Sequence, residues 1–253
     1  SKLQTIFKKK IKRKFAYTAS SGTAAIHLAY LALDLKSNEE IVVPAYGYMA
    51  CANIAELMGL KVKFCEVDIN TYCVTLNSIK KSVTKKTKAV VVTNTYGNMG
   101  EIYKISKFLK KKKIFLIEDA AESLGSLTYN TASGKFGDVS TLSFQSTKNI
   151  TTGEGGMVLT DNSKIAKKIK LYRSHGIHKE RYKHLVFGHN FRLSNLLASI
   201  GYSQFKRTKK INERKIHLYK QYLKYLNLNG INLQNFSINQ KSIPWTFSLT
   251  LKN

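Results

Sequence analysis

The chain has 253 residues, 43% of them hydrophobic, enough to bury one substantial core with room for a partial second domain, and this excludes a disordered polymer. Its 42 Lys and Arg against 15 Asp and Glu give a formal net charge of +27. Such a charge suits nucleic acid or an anionic surface, yet the bases are spread along the whole chain, with local clusters only at Lys8–Lys14, Lys85–Lys88, Lys110–Lys113 and Lys206–Lys210. No helix-turn-helix, zinc-ligand spacing or aromatic RNA-binding pattern accompanies them, so the charge reads as a solvated lysine-rich surface and basic nucleic-acid binding is kept as the rival reading.

Three cysteines, Cys51, Cys65 and Cys73, are odd in number and form no CxxC pair, which fits a reducing cytoplasm and no metal site. No apolar run reaches the 18 residues of a membrane span, and the charged N-terminus has no apolar leader segment after it. The chain begins without Met and stops in the strand-like WTFSLTLKN, so it is read as a fragment.

In chain order, apolar runs alternate with amphipathic ones. A helical pattern over Thr23–Leu35 is followed by strand-like Ile41–Pro44, a helical Gly47–Met58, and strands at Lys61–Val67 and Ala89–Asn94. Next come helical Met99–Lys111, strands Ile114–Asp119, Val139–Phe144 and Gly156–Thr160, and helical Ser163–Ser174. This alternation predicts an α/β fold, a three-layer αβα sandwich around a mostly parallel sheet, whose ligands bind beyond the carboxyl ends of the strands. A long helical pattern then runs from Arg192 toward Tyr225, ahead of Asn- and Gln-rich sequence. The expected organisation is a large domain over 1–205, a connecting helix over 206–225 and the incomplete start of a small C-terminal domain over 226–253.

Three features carry chemistry. Lys148 lies in SFQSTKNITTGEGG, among small hydroxyl residues and glycines just past a strand, a setting that a solvated lysine does not need and a Schiff-base lysine does. Asp119 ends the apolar run IFLIED ahead of two alanines, so it either caps the next helix or meets a cation such as a protonated pyridine nitrogen. Ser-Gly-Thr at 21–23 opens a helix, where free N–H groups and the Thr23 hydroxyl could hold a phosphate, or where Ser20 or Ser21 is simply an N-cap. Of the 15 acids, Glu118, Asp119, Glu122, Asp138 and Glu154 crowd around Lys148 in sequence, as a site needing fixed negative charge would. A phosphate cradle, a carboxylate for a ring nitrogen and a lysine for an aldehyde together describe pyridoxal 5'-phosphate (PLP).

The motifs SSGTAAIHLA, EEIVVPAYGYMACANIAELMG, FCEVDINTY, KTKAVVVTNTYGNMG, IEDAAESLGS, GKFGDVSTLSFQSTKNITTGEGGMVLTD and GHNFRLSNLLASIGYSQ, colinear from Phe15 to Lys210, resemble those of the DegT/DnrJ/StrS nucleotide-sugar aminotransferases. That resemblance implies PLP fold type I, with Lys148 as the Schiff-base lysine and Asp119 as partner of the pyridine nitrogen. Gly22, Thr23, Ala24 and Ser143 would hold the phosphate, Tyr48 would stack on the ring, and Glu122 would lie near the ring's phenolic oxygen. Asn190 would reach the phosphate of a neighbouring subunit in a homodimer. The resemblance further implies L-glutamate as amino donor and a GDP-, UDP- or dTDP-linked keto-deoxy sugar as acceptor, closest to C4 amination as in perosamine synthesis with C3 amination open, and a catalytically inactive fragment of the fold is kept as a further alternative. Gly47 departs from the family's usual Thr, and the dehydratase branch of the family would lead one to expect His in place of Lys148.

Overall fold

A computed structural model describes residues 1–178, 180, 182–226, 230–236 and 239–251. Within the expected small-domain segment 226–253, positions 227–229, 237–238 and 252–253 thus lie outside the described residues. The strands are β1 (Phe15–Ala19), β2 (Glu40–Pro44), β3 (Lys61–Cys65), β4 (Thr87–Thr93), β5 (Phe115–Asp119), β6 (Leu127–Thr128), β7 (Thr131–Ala132), β8 (Val139–Ser143), β9 (Gly156–Thr160), β10 (Ile231–Leu233), β11 (Gln240–Lys241) and β12 (Leu249–Leu251). The helices are α1 (Lys2–Ile11), α2 (Gly22–Ala32), α3 (Ala50–Leu57), α4 (Leu76–Ser82), α5 (Ile102–Lys112), α6 (Ser163–Tyr172), α7 (Asn195–Lys206) and α8 (Thr208–Tyr225).

Seven strands form the central sheet in the order β1-β9-β8-β5-β4-β2-β3. Neighbours from β3 to β8 are parallel, and β9 alone is reversed, pairing antiparallel with both β8 and β1. Alternate residues of each strand feed opposite layers, which is why the central strands read as unbroken apolar runs. Ile41, Val43, Ala89, Val91 and Ile117 pack with the α2 and α3 side chains. Val42, Val90, Val92 and Leu116 pack with Ile79 of α4 and Ile102, Ile105 and Leu109 of α5. The fold class read from the sequence is the fold observed.

Two N-terminal elements escape the sequence reading. Within and beside the lysine cluster at 8–14, α1 buries Leu3, Phe7 and Ile11, spaced four apart, and turns Lys8, Lys9 and Lys10 outward; a capping box between Ser1 and Gln4 starts it. β1 then pairs along its whole length with β9, Phe15 opposite Thr160 and Ala19 opposite Gly156. Between them Arg13, only 5% exposed, donates to the carbonyls of Gly134 and Gly137, to Ser140 Oγ and to Asp161, all within 3.1 Å.

The long helical pattern up to Tyr225 divides at Arg207, the residue that ends α7 and begins α8. After α8 the chain returns to the main body: β11 joins the β6–β7 hairpin, pairing Gln240 with Thr128 and Lys241 with Leu127, and Ile243 is buried. The segment at 239–245 thereby lies close to the loops at the carboxyl end of the sheet.

Candidate active site

Three segments distant in sequence converge at that end. Asp119 is the last residue of β5; it is 7% exposed, and burial pushes its carboxyl up to about 6. Its Oδ1 accepts from the Ala121 N–H at 3.1 Å and from Thr141 Oγ1 at 3.4 Å, and the buried Cys51 thiol lies 3.8 Å from Oδ2. Among the described residues no cationic side chain forms an ion pair with it. Lys148 sits in the turn after β8, which Gln145 shapes by accepting from the Thr147 N–H and hydroxyl through Oε1 and from the Lys148 N–H through its carbonyl. The Lys148 ammonium is 3.4 Å from Glu122 Oε1 and 3.9 Å from the centroid of the Trp245 ring. Glu122 is itself fixed, since its Oε2 accepts from the Tyr96 N–H at 3.0 Å.

The third segment is the start of α2. Ser21 caps the helix, its Oγ accepting from the Ala24 N–H at 3.0 Å, which leaves the earlier N–H groups of Gly22 and Thr23 as the free donors of the first turn. The N-cap and the anion-site readings are thus both true of this turn. A Cβ on Gly22 would stand 3.0 Å from Ser143 Cβ and 3.1 Å from its Oγ, so the close approach of α2 to β8 depends on glycine.

Gly22, Thr23, Tyr48, Asp119, Glu122, Ser143 and Lys148 all line one cavity of about 450 Å³. Tyr48, 83% exposed, forms its rim, on the turn that precedes α3. One expected residue is elsewhere: Ala24, the third residue of α2, is buried with its N–H used by Ser21; Asn190, expected to serve a neighbouring subunit, is exposed on a segment that bridges to Ser174. Of the five clustered acids, Asp119, Glu122 and Glu154 reach the cavity. Glu118 and Asp138 do not: Glu118 is fully buried and organises the 134–140 loop, while Asp138 Oδ2 accepts from the Leu116 N–H.

Sequence reasoning missed Trp245, Tyr96 and Cys51. Trp245 comes from beyond α8, and its one sequence signal is that it is the only tryptophan. Tyr96 holds a left-handed backbone (φ 56°) between Glu122 and Trp245.

The donor set fits a phosphorylated heteroaromatic aldehyde: anion donors at α2 and Ser143, a buried carboxylate lacking a cation, and an amine between them. A sheet with one reversed strand and this trio at its carboxyl end define the fold of the type I PLP-dependent enzymes. The chain belongs to the DegT/DnrJ/EryC1/StrS aminotransferase family, whose model matches residues 1–252.

Among its relatives, GDP-perosamine synthase of Escherichia coli O157:H7 is 36% identical over 215 residues, 85% of this chain and 59% of that one. The UDP-4-amino-4,6-dideoxy-N-acetyl-beta-L-altrosamine transaminase of Campylobacter jejuni is 37% identical over 200 residues, 77% of this chain and 53% of that one. The chain therefore spans little more than half the length of these relatives. Among solved structures, the E. coli GDP-4-keto-6-deoxy-D-mannose-3-dehydratase with bound hydrated PLP superposes with a TM-score of 0.91 at 28% identity, covering 100% of this chain and 71% of that one.

Proposed function

We propose that this chain is the cofactor-binding part of a PLP-dependent aminotransferase that moves the amino group of L-glutamate to the keto carbon of a nucleotide-linked keto-deoxy sugar, a 4-keto-6-deoxyhexose carried on GDP, UDP or dTDP. The observation that carries this reading is the convergence of Lys148, Asp119, Ser143 and the α2 N-terminus on one cavity. The names of the relatives, a GDP-perosamine synthase and a UDP-sugar transaminase, support the acceptor class. Lysine at 148, where the resemblance leads one to expect histidine in the dehydratase branch, supports amino transfer over dehydration.

Bound PLP would supply an electron sink. Gly22, Thr23 and Ser143 would hold its phosphate, and Tyr48 would cover its ring. Asp119 keeps a proton on the ring nitrogen; a cation there opposes the burial that now raises the carboxyl, so the aspartate is ionised in the loaded site. Lys148 holds the cofactor through Nζ and, once displaced, carries a proton at the substrate carbon, with Glu122 steering the free ammonium. Asn190, exposed and away from its own chain's cavity, is assigned to the phosphate of a second subunit in a homodimer. Three unpaired, buried cysteines support a cytoplasmic setting, and among the described residues no helix is long and apolar enough to cross a membrane.

Borohydride reduction after incubation with PLP, followed by peptide mapping, tests the assignment. A single adduct at Lys148, lost in Lys148→Ala, is expected; adducts scattered over surface lysines refute it. Mass spectrometry of products from a panel of nucleotide keto-sugars with L-glutamate identifies the acceptor.

A further inference from the structure

Trp245 has no role in the reading above, yet it is held at several points. Its Nε1–H donates to the Thr147 carbonyl at 2.9 Å and its backbone N–H to the Tyr96 carbonyl at 3.0 Å. The Tyr96 ring stacks on the indole, centroids 6.0 Å apart and planes 25° apart. From α8, Lys215 Nζ donates to the Trp245 carbonyl at 2.8 Å. An indole held at ring, backbone and carbonyl is preorganised, so little rotamer freedom remains to be lost when a ligand packs on it.

What lies over the partly buried ring is the Lys148 ammonium. Lys148 Nζ, 3.9 Å from the ring centroid, has to leave the indole to hold a cofactor anchored at Asp119 and Ser143. Departure of the ammonium uncovers a flat apolar surface beside the reacting amine, inside the same cavity. L-glutamate has two carboxylates, one amine and no extended apolar face, so it gains little there. A 6-deoxyhexose ring presents axial C–H groups and a methyl group, the kind of surface that aromatic rings bury well.

Resting on the aminotransferase reading, we infer that Trp245 is the platform for the hexose ring of the acceptor and thus a specificity-determining residue. The same indole serves two occupants in turn: the Lys148 ammonium while the lysine is free, and the sugar while the lysine is engaged. The nucleoside diphosphate makes no use of the ring.

Calorimetry on the PLP-loaded chain with GDP-perosamine and, separately, with GDP tests this. Trp245→Leu is expected to weaken GDP-perosamine about tenfold and GDP less than twofold, and Trp245→Phe to recover most of the loss, since a flat ring is restored. Because Trp245 is the only tryptophan, fluorescence excited at the red edge, where the 14 tyrosines do not absorb, reports it alone, and GDP-perosamine is expected to change that emission where GDP does not. Unchanged GDP-perosamine affinity in Trp245→Leu overturns the platform, as does an equal loss for GDP and GDP-perosamine, which would mean that the ring serves the fold or the nucleotide. A wild-type chain that is labelled by PLP at Lys148 but binds neither GDP-perosamine nor its UDP- and dTDP-linked counterparts refutes the acceptor reading itself, and the platform falls with it.

Discussion

Asp119 makes the unliganded protein least stable where it is expected to work. Burial raises its carboxyl from 3.8 to about 6, so the folded state holds a proton that the unfolded chain has already released. The stability it contributes is therefore full below about pH 4, declines as pH rises, and is lost above about pH 6. Two pKa units at 1.36 kcal/mol each make the difference about 3 kcal/mol. Asp119→Asn removes this titration while keeping an oxygen for the Ala121 N–H. Relative to wild type, the apo variant gains about 3 kcal/mol between pH 4 and pH 7, equivalent to about 6–12 °C in Tm for a chain of this size. His27 and His189, both held below their ordinary value chiefly by burial, tilt stability the opposite way, but they titrate alike in both proteins and cancel in the difference. Paired thermal melts from pH 4 to pH 8 measure the curve. With PLP bound the proposed role of Asp119 reverses the sign, because the variant would lack the anion assigned to the ring nitrogen, and its cofactor affinity is expected to fall about a hundredfold or more. A flat difference curve in the apo proteins would show that Asp119 is not the desolvated carboxylate described above.

Glu118 accepts from Asn94 Nδ2, Ser140 Oγ and the N–H groups of Gly134, Phe136 and Gly137, all within 3.3 Å. Glu118→Gln keeps one acceptor oxygen and is expected to lose about 3–5 kcal/mol in urea unfolding, with stranded donors costing about 1–3 kcal/mol each; a loss below about 1 kcal/mol contradicts the buried network. A Cβ on Gly156 would stand 2.2 Å from the Ser21 carbonyl oxygen and 2.9 Å from the Gly22 nitrogen. Gly156→Ala should cost about 1–3 kcal/mol of stability by overpacking and, by pushing the start of α2 outward, weaken PLP binding more than tenfold, as read by absorbance titration. Wild-type cofactor affinity in this variant would sever the link between β9 and the phosphate cradle.

The β/α alternation was legible because strands buried on both faces leave apolar runs that nothing else in a lysine-rich chain imitates. α1 and β1 were not, because a run of bases masks the four-residue spacing of Leu3, Phe7 and Ile11, and a five-residue strand beside it leaves little pattern. Arg13 shows the limit of composition: among 42 bases nothing marks it as a core residue, since its burial depends on carbonyls from the 134–137 loop and on Asp161. Clustering of acids overstated the site, as neighbours such as Glu118 and Asp119 point to opposite faces of one strand and serve different ends. That Lys148 and Asp119 face one crevice was readable from the strands they end or follow. Trp245 was not, because only the return of the chain after α8 brings it to Thr147.

The pairing of β1 with β9 also has a consequence for how the chain acquires its shape. Every partner of β1 within the sheet lies in a strand that leaves the ribosome about 140 residues later. The arm's other partners are equally distant: Phe7 packs on Phe144 and on Phe205 of α7, and Arg13 pairs with Asp161, 148 residues away. The β2–β5 unit, built from closer neighbours, can assemble first, leaving the arm to close the edge as a late, slow, long-range step. The lysines flanking that arm keep the waiting segment soluble, a task for part of the positive charge that needs no anionic partner.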